Sequence, residues 1–407
     1  MHEPSKEKIW NRHFMLAAVI TLFVGLAMSM INSTMARYIY SLFGSATFSG
    51  WLNAAFAVMA VVARLVAGDL SDRRGRQKVL IFGCIVFAVS IFCFGIFPIA
   101  GLLIIFRGLQ GFGYAVATTA DNAAGADVLP EEKMSEGVGY LGLGYSLSTA
   151  IGPSIVLPLM VGTSYMPVVW ASTAVVLAGL VLAIFLRYER LPFYKEKMER
   201  QKKAENAKDL SEYKGLSRIV EKRALPATFV QLFNCTSWAA INSFAVLYAD
   251  YRGIDNIALL FVFIAVAMLV TRMFTGKLTD RYGELAVGIP ALIVNILGFV
   301  IMIMARSAVG IYIAGFMIGL GNGTSNPIMQ AAAVKLSPAN RRGAASGTYQ
   351  MSNDIANGAG AVLWGIVIDA LGYDAMFIGC CLTSFLSLVF LVYFFRKKKY
   401  QELLAKR

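Results

Sequence analysis

Gly68-Asp69-Leu70-Ser71-Asp72-Arg73-Arg74-Gly75-Arg76 returns, weakened, as Gly276-Lys277-Leu278-Thr279-Asp280-Arg281-Tyr282-Gly283. The copies start 208 residues apart (276 − 68), and Gly, Leu, Asp, Arg and Gly hold the same places in both. Each copy follows a long apolar run, and an arginine precedes each by one turn, Arg64 and Arg272. The same offset relates Gly111-Phe112-Gly113 to Gly319-Leu320-Gly321, and Pro130 to Pro338. Gly137 and Gly152 match Gly343 and Gly358 at an offset of 206. The chain reads as one unit written twice in the same direction.

Of 407 residues, 57% are hydrophobic and 15% charged, with a mean hydropathy of +0.64. Soluble domains carry roughly 25% charged residues, so most of this chain has no water to face. A helix needs about 20 apolar residues to cross a bilayer. Six such runs lie near 13–38, 46–68, 78–97, 101–124, 135–160 and 165–187, and six more near 225–249, 256–277, 285–305, 308–334, 344–369 and 374–395. The expected fold is an all-α membrane protein of twelve transmembrane helices, in two pseudo-symmetric six-helix halves. Residues 1–187 form the first, 188–223 a charged cytoplasmic linker and 224–407 the second. A duplicated chain of this kind is the sequence mark of a secondary transporter.

The formal charge of +13 sits between apolar runs. Lys6, Lys8 and Arg12, then Arg73–Lys78, the linker, Arg341-Arg342 and Arg396–Lys399 fall on one side, and the opposite loops are nearly free of Lys and Arg. This asymmetry orients a membrane protein with both termini cytoplasmic, and it argues against nucleic acid as a partner. The run 13–38 is too long for a signal-peptide core, so the first span is expected to stay. The five cysteines lie inside apolar runs without metal-ligand spacing. No nucleotide loop, catalytic triad or metal cluster is present in the sequence, so neither a cofactor nor an enzyme activity is expected.

Three motifs make the chain resemble the major facilitator superfamily. The loop after span 2 resembles that family's Gly-x-Leu-x-Asp-Arg-x-Gly-Arg signature through Gly68, Leu70, Asp72, Arg73, Gly75 and Arg76. Span 4 carries Arg107-Gly108-Leu109-Gln110-Gly111, similar to the family's Arg-x-x-Gln-Gly. Span 5 carries Gly139, Ser148, Gly152 and Pro153, part of the antiporter motif, with Val156 and Leu157 where further glycines are expected. The resemblance implies two six-helix bundles around a central cavity, alternating access, and a cavity lined by spans 1, 4, 7 and 10. It also implies that the loop after span 2 latches the outward-facing state, with Asp127 as the third member of a charge relay. The position matching Asp127 in the second half holds Lys335 (335 − 127 = 208), so the second relay is expected to be broken. Efflux carriers are the nearest subfamily, although span 1 lacks the acid many of them carry.

The gating candidates are therefore Gly68, Asp72, Arg73, Gly75, Arg76 and Asp127, with Gly276, Asp280, Arg281 and Gly283 in the repeat. Charges inside spans are costly and usually functional. Span 4 puts Arg107, Gln110, Tyr114, Thr118 and Asp121 on one helical face. Arg107 and Asp121 lie about 21 Å apart along it, too far to pair. Asp354 in span 11 reads as the acid nearest the midplane, and Asp121 as nearer the cytoplasm and better solvated. Asp354 has three open roles: proton coupling, binding a cationic part of the substrate, or structure. Cavity-lining candidates are Asn32, Gln110, Tyr114, Asn234, Trp238, Asn242, Asn322, Asn326, Gln350 and Asn353. Such polar faces either line a wet cavity or join helices, and lining is the expectation here.

The sequence thus points to a monomeric, multi-pass carrier of the cell (inner) membrane that exports a small organic solute by proton antiport. An uptake symporter or facilitator of a polar metabolite is the alternative. A non-transporting solute sensor is the alternative of another class, and it would more often carry a soluble output domain.

Overall fold

The computed structural model describes residues 11–129, 134–160, 164–190, 220–254, 256–338 and 341–397. The linker residues 191–219, and with them most of the expected linker, lie outside the described residues, as do Pro130 and the terminal basic cluster from Lys398. Eleven α-helices lie among the described residues. They are α1 (Arg12–Phe43), α2 (Ala46–Arg74), α3 (Arg76–Ile96), α4 (Ala100–Asp127), α5 (Met134–Val156), α6 (Met166–Phe185), α7 (Leu225–Arg252), α8 (Ala258–Met304), α9 (Ala308–Leu336), α10 (Arg342–Leu371) and α11 (Tyr373–Phe395). The described residues contain no strand.

At 47 residues, α8 would run about 70 Å if straight, more than twice the hydrocarbon thickness. It bends at Gly283, whose backbone (φ 84°, ψ 164°) is not helical, into arms 258–282 and 284–304. Gly75, 208 residues earlier, separates α2 from α3 with nearly the same conformation (φ 91°, ψ 140°). A side chain would be strained at either place. The duplication is therefore visible in the backbone, and counting both arms of α8 gives twelve helical rods among the described residues.

Nine of the helices are long and apolar enough to cross a membrane, among the described residues. Helices α7 and α9 fall outside that set because they carry Gln231, Asn234 and Ser237, and Asn322, Ser325 and Asn326. Large apolar side chains such as Val58, Val89, Trp51 and Leu382 are exposed. Water would not tolerate such a surface, whereas lipid does. Glycine sets the closest helix contacts. A Cβ on Gly113 would lie 2.6 Å from the Phe87 nitrogen, tying α4 to α3. One on Gly321, its counterpart 208 residues on, would lie 2.7 Å from the Ala291 carbonyl, tying α9 to the second arm of α8.

The described residues fall into two compact units. One holds residues up to Ile31, Met59–Gly152 and those from Leu159 to 190. The other holds Asn32–Val58, Pro153–Pro158 and the residues from 220 onward. This division departs from the boundary at 187–224 expected from the duplication. The end of α1, the start of α2 and the end of α5 cluster with the C-terminal helices. The cause lies in the second unit, where α2 meets α10 backbone to backbone. Cβ atoms on Gly50 and Gly365 would come within 2.5 Å of the Ala361 carbonyl and 2.7 Å of the Ala46 carbonyl.

Candidate functional site

In the first unit, the turn at Gly75 is held by four side chains, Arg76, Asp127, Tyr188 and Glu189. The Arg76 guanidinium pairs with the Asp127 carboxylate at the end of α4, with side chains 13% and 6% exposed. Arg76 Nη1 also donates to the Ala123 carbonyl (2.7 Å), and the Tyr188 hydroxyl donates to Asp127 (3.2 Å). The first turn of α3 exposes unpaired backbone N–H groups, and Glu189 fills that place. Its Oε1 accepts from the backbone nitrogens of Arg76 and of Gln77 (3.2 Å), as a carboxylate at a helix N-terminus should. Arg76 and Asp127, two of the gating candidates, are thus paired with each other. Glu189 and Tyr188 are additions that no motif announces, because they come from the edge of the linker. The side chains of Gly68, Asp72 and Arg73 lie outside the described residues.

The second unit overturns the expectation of a broken repeat. Lys335 at the end of α9 reaches Glu284 (3.4 Å) and Asp280 (3.5 Å). Glu284 stands at the position of Arg76 (284 − 76 = 208), and Lys335 at that of Asp127. The ion pair is retained with both charges reversed. Reading Lys335 alone suggested a loss, and reading it together with Glu284 would have found the exchange. This version is wetter, with Lys335 36%, Glu284 10% and Asp280 75% exposed. Gly276 faces open space, and the Arg281 guanidinium lies over the Tyr282 ring at 5.2 Å.

The acids inside the helices differ from expectation. Asp121 is 2% exposed, whereas Asp354 is only half-buried. Asp121 Oδ2 accepts from the Thr21 hydroxyl of α1 at 2.6 Å. Its Oδ1 is buried without a hydrogen-bond partner among the described residues. The expectation that Asp121 is the better solvated acid is corrected, because α1 and α4 close over it. Arg107 is wholly buried and donates through Nη1 to Gln110 Oε1 (2.7 Å). Gln110, itself buried, donates to the Ser90 carbonyl (3.4 Å). Gln110 therefore holds the arginine and is not placed to line a cavity. Tyr114 is half-buried, edge-on to Phe87 at 5.8 Å.

Among the candidates on α7 and α9, several join helices. Asn234 Nδ2 donates to Ser325 Oγ (3.0 Å) and Asn322 Oδ1 (3.3 Å). Its Oδ1 accepts from Asn295 Nδ2 (3.1 Å), which also donates to Ser384 Oγ (3.2 Å). Ser384 donates on to Ser237. Asn234, Asn295, Asn322, Ser325 and Ser384 are all buried, so one network ties α7, α8, α9 and α11. Trp238 is also buried. The lining expectation fails for Asn234, Asn322 and Trp238, since a buried amide finds a protein partner in preference to none. Asn32, Asn242, Asn326, Gln350 and Asn353 are half-buried. Asn326 accepts from the Tyr349 hydroxyl (2.8 Å), and Asn353 from Gln231 (3.0 Å).

At the end of the second unit away from the Gly283 turn, α2 begins on a carboxylate. Asp369 near the end of α10 accepts from Ser45 Oγ (3.0 Å) and from the backbone nitrogens of Ala46 (3.0 Å) and Thr47 (2.8 Å). Arg37 pairs with Asp250 (2.9 Å), and Asn53 donates to Ser243 (3.1 Å). Near the end of the linker, Arg341 is buried against Glu221 (2.8 Å), so it is not a solvated orientation charge.

The sequence matches the Major Facilitator Superfamily over residues 17–356 and 227–407. It is 26% identical over 374 residues to Multidrug resistance protein 2 of Bacillus subtilis (strain 168), covering 90% of each chain. It is 23% identical to Multidrug resistance protein MdtG of Enterobacter lignolyticus (strain SCF1), over 91% of this chain and 88% of that one. A crystal structure of a mutant of the nucleoside transporter NupG superposes with a TM-score of 0.70 over 97% of this chain and 99% of that one, at 11% identity.

Proposed function

Because the chain belongs to the Major Facilitator Superfamily, and so is a multi-pass membrane transporter and not an enzyme, we propose that it exports small organic solutes in exchange for protons. The relatives named for multidrug resistance support export and a broad choice of solute. The observation that carries proton exchange is Asp121, a buried carboxyl bonded to one hydroxyl with its second oxygen unpartnered among the described residues. A charge held there is expensive unless it is transient, so a carboxyl that takes up and releases a proton suits the place. Asp354, half-buried in α10, serves as a second polar anchor, for proton or for solute. Arg107, steadied by Gln110, keeps a fixed positive charge in the first unit.

Two turns gate the cycle in this reading. The Arg76–Asp127 pair with its Glu189 cap, and the reversed Glu284–Lys335 pair, hold equivalent ends of the two sequence halves, 1–187 and 224–407. Gly68, Asp72 and Arg73 of the first copy belong to the same gate. The protein works as a monomer in the cell membrane, termini toward the cytoplasm. The test is transport by proteoliposomes under an imposed pH gradient, with a panel of lipophilic cations and polar zwitterions. Uphill movement of at least one class, reversed when the gradient is reversed, is expected. Equal rates with and without the gradient would leave a facilitator.

A further inference from the structure

A groove of about 500 Å³ runs along the second unit between the two arms of α8, with α9 as its floor. One wall is Thr271, Leu278 and Tyr282. The other is Ala286, Val287, Pro290, Ala291 and Val294, and Leu320 and Thr324 line the floor. The spacings 7 and 4 on the first wall, and 4 and 4 through 286, 290 and 294 on the second, are those of single helical faces. The volume lies within the range of small-molecule sites.

The groove opens on the membrane side of this unit. On α9, Gly319 and Gly323 press on the first arm of α8, Gly321 presses on the second, and Asn322 bonds to α7. Leu320 and Thr324 therefore point between the arms, away from α7. The lining is mostly apolar, its hydroxyls limited to Thr271, Thr324 and Tyr282, and the Thr271 hydroxyl is already spent on the Met268 carbonyl (3.0 Å). The Gly283 turn closes one end, and that end is basic. Tyr282 is 57% exposed and carries the Arg281 guanidinium on its ring. Lys277, four residues before Arg281, is exposed on the same face, beside the apolar row of Leu278 and Tyr282. The nearby acids Asp280 and Glu284 are engaged by Lys335, which leaves Lys277 and Arg281 to meet an anion.

We propose that this groove holds one anionic phospholipid, with its phosphate at Lys277 and Arg281 and an acyl chain between the arms of α8. Basic sites between membrane helices suit such headgroups, and an apolar slot ending in two cations matches a chain that ends in a phosphate. The lipid would sit beside the turn that carries the Glu284–Lys335 pair.

The experiment is native mass spectrometry of the purified full-length protein, titrated with phosphatidylglycerol or phosphatidylcholine of equal chain length. Preferential retention of one phosphatidylglycerol is expected. Arg281→Gln should weaken it about fivefold, and the double variant with Lys277→Gln about thirtyfold. Ala286→Trp and Thr324→Phe fill the groove from different sides and should each abolish retention, and using two guards against a variant that does not fold. Equal retention of the two lipids would overturn the proposal. So would loss in the charge variants with full retention in both groove-filling variants, which would mean surface charge alone. Because the readout is lipid binding, failure here leaves the transport reading standing.

Discussion

Reversing one charge at the second turn should cripple it, and reversing both should repair it. Lys335→Asp removes the nitrogen that lies 3.4 and 3.5 Å from Glu284 and Asp280 and turns a carboxylate toward them from the same position of α9. Half-exposed ion pairs contribute up to about 1 kcal/mol. Turning such an attraction into a repulsion of similar size changes the balance by about 2 kcal/mol, roughly 30-fold in an equilibrium constant. Glu284→Arg alone should cost a similar amount by facing Lys335. The double variant places Asp280, an arginine at 284 and an aspartate at 335 where the first half has Asp72, Arg76 and Asp127. The assay is labelling of a cysteine at Ser337 in a background without the five native cysteines, together with transport at matched expression. Each single variant should raise the labelling rate about 30-fold, and the double should return to within about threefold of wild type. A double variant as impaired as Lys335→Asp would refute the idea that the two turns are one device written in opposite charges.

The first turn is drier, so Asp127→Asn should cost more, about 3 kcal/mol, read as a fall in thermal unfolding temperature and loss of transport. Glu189→Gln should weaken the cap on α3 by about 1 kcal/mol, with transport reduced and insertion intact, and an unchanged transport rate at matched expression would count against the cap. Asp369→Ala removes three hydrogen bonds from the start of α2 and should raise labelling of a cysteine at Ser243 about fivefold, equivalent to about 1 kcal/mol. Asn234→Leu leaves the Asn295 amide and its neighbours short of partners and should destabilise by about 1–2 kcal/mol without changing solute preference. A shifted preference with unchanged stability would restore Asn234 to the cavity.

Much of the fold was legible because the bilayer imposes it. Apolar runs of spanning length leave helices as the workable structure, and the 208-residue offset announced the two glycine turns that the backbone shows at 75 and 283. Arg76 and Asp127 were each legible as motif positions, though nothing in the sequence paired one with the other. What the sequence hid were pairings between distant elements. Glu189 and Arg341 read as solvated charges because nothing local shows that a helix end or a buried carboxylate awaits them. Asn234 and Asn322 read as cavity residues because a polar face looks alike whether water or another amide covers it. Asp121 read as solvated because depth was counted from the nearest loop, and burial depends on which helix crosses there. In this case it is α1, with Thr21 at the crossing.

Whether Asp121 carries the coupled proton is decided by comparing Asp121→Asn and Asp354→Asn in proteoliposomes at matched amounts of folded protein, with solute driven uphill by a pH gradient. Asp121→Asn should abolish uphill transport while leaving exchange of solute down its own gradient, because the amide stands in for the protonated acid. Asp354→Asn should lower the rate and keep the pH dependence. If Asp121→Asn still concentrates solute with the wild-type response to pH, the claim is contradicted, and coupling belongs to Asp354 or to no proton at all.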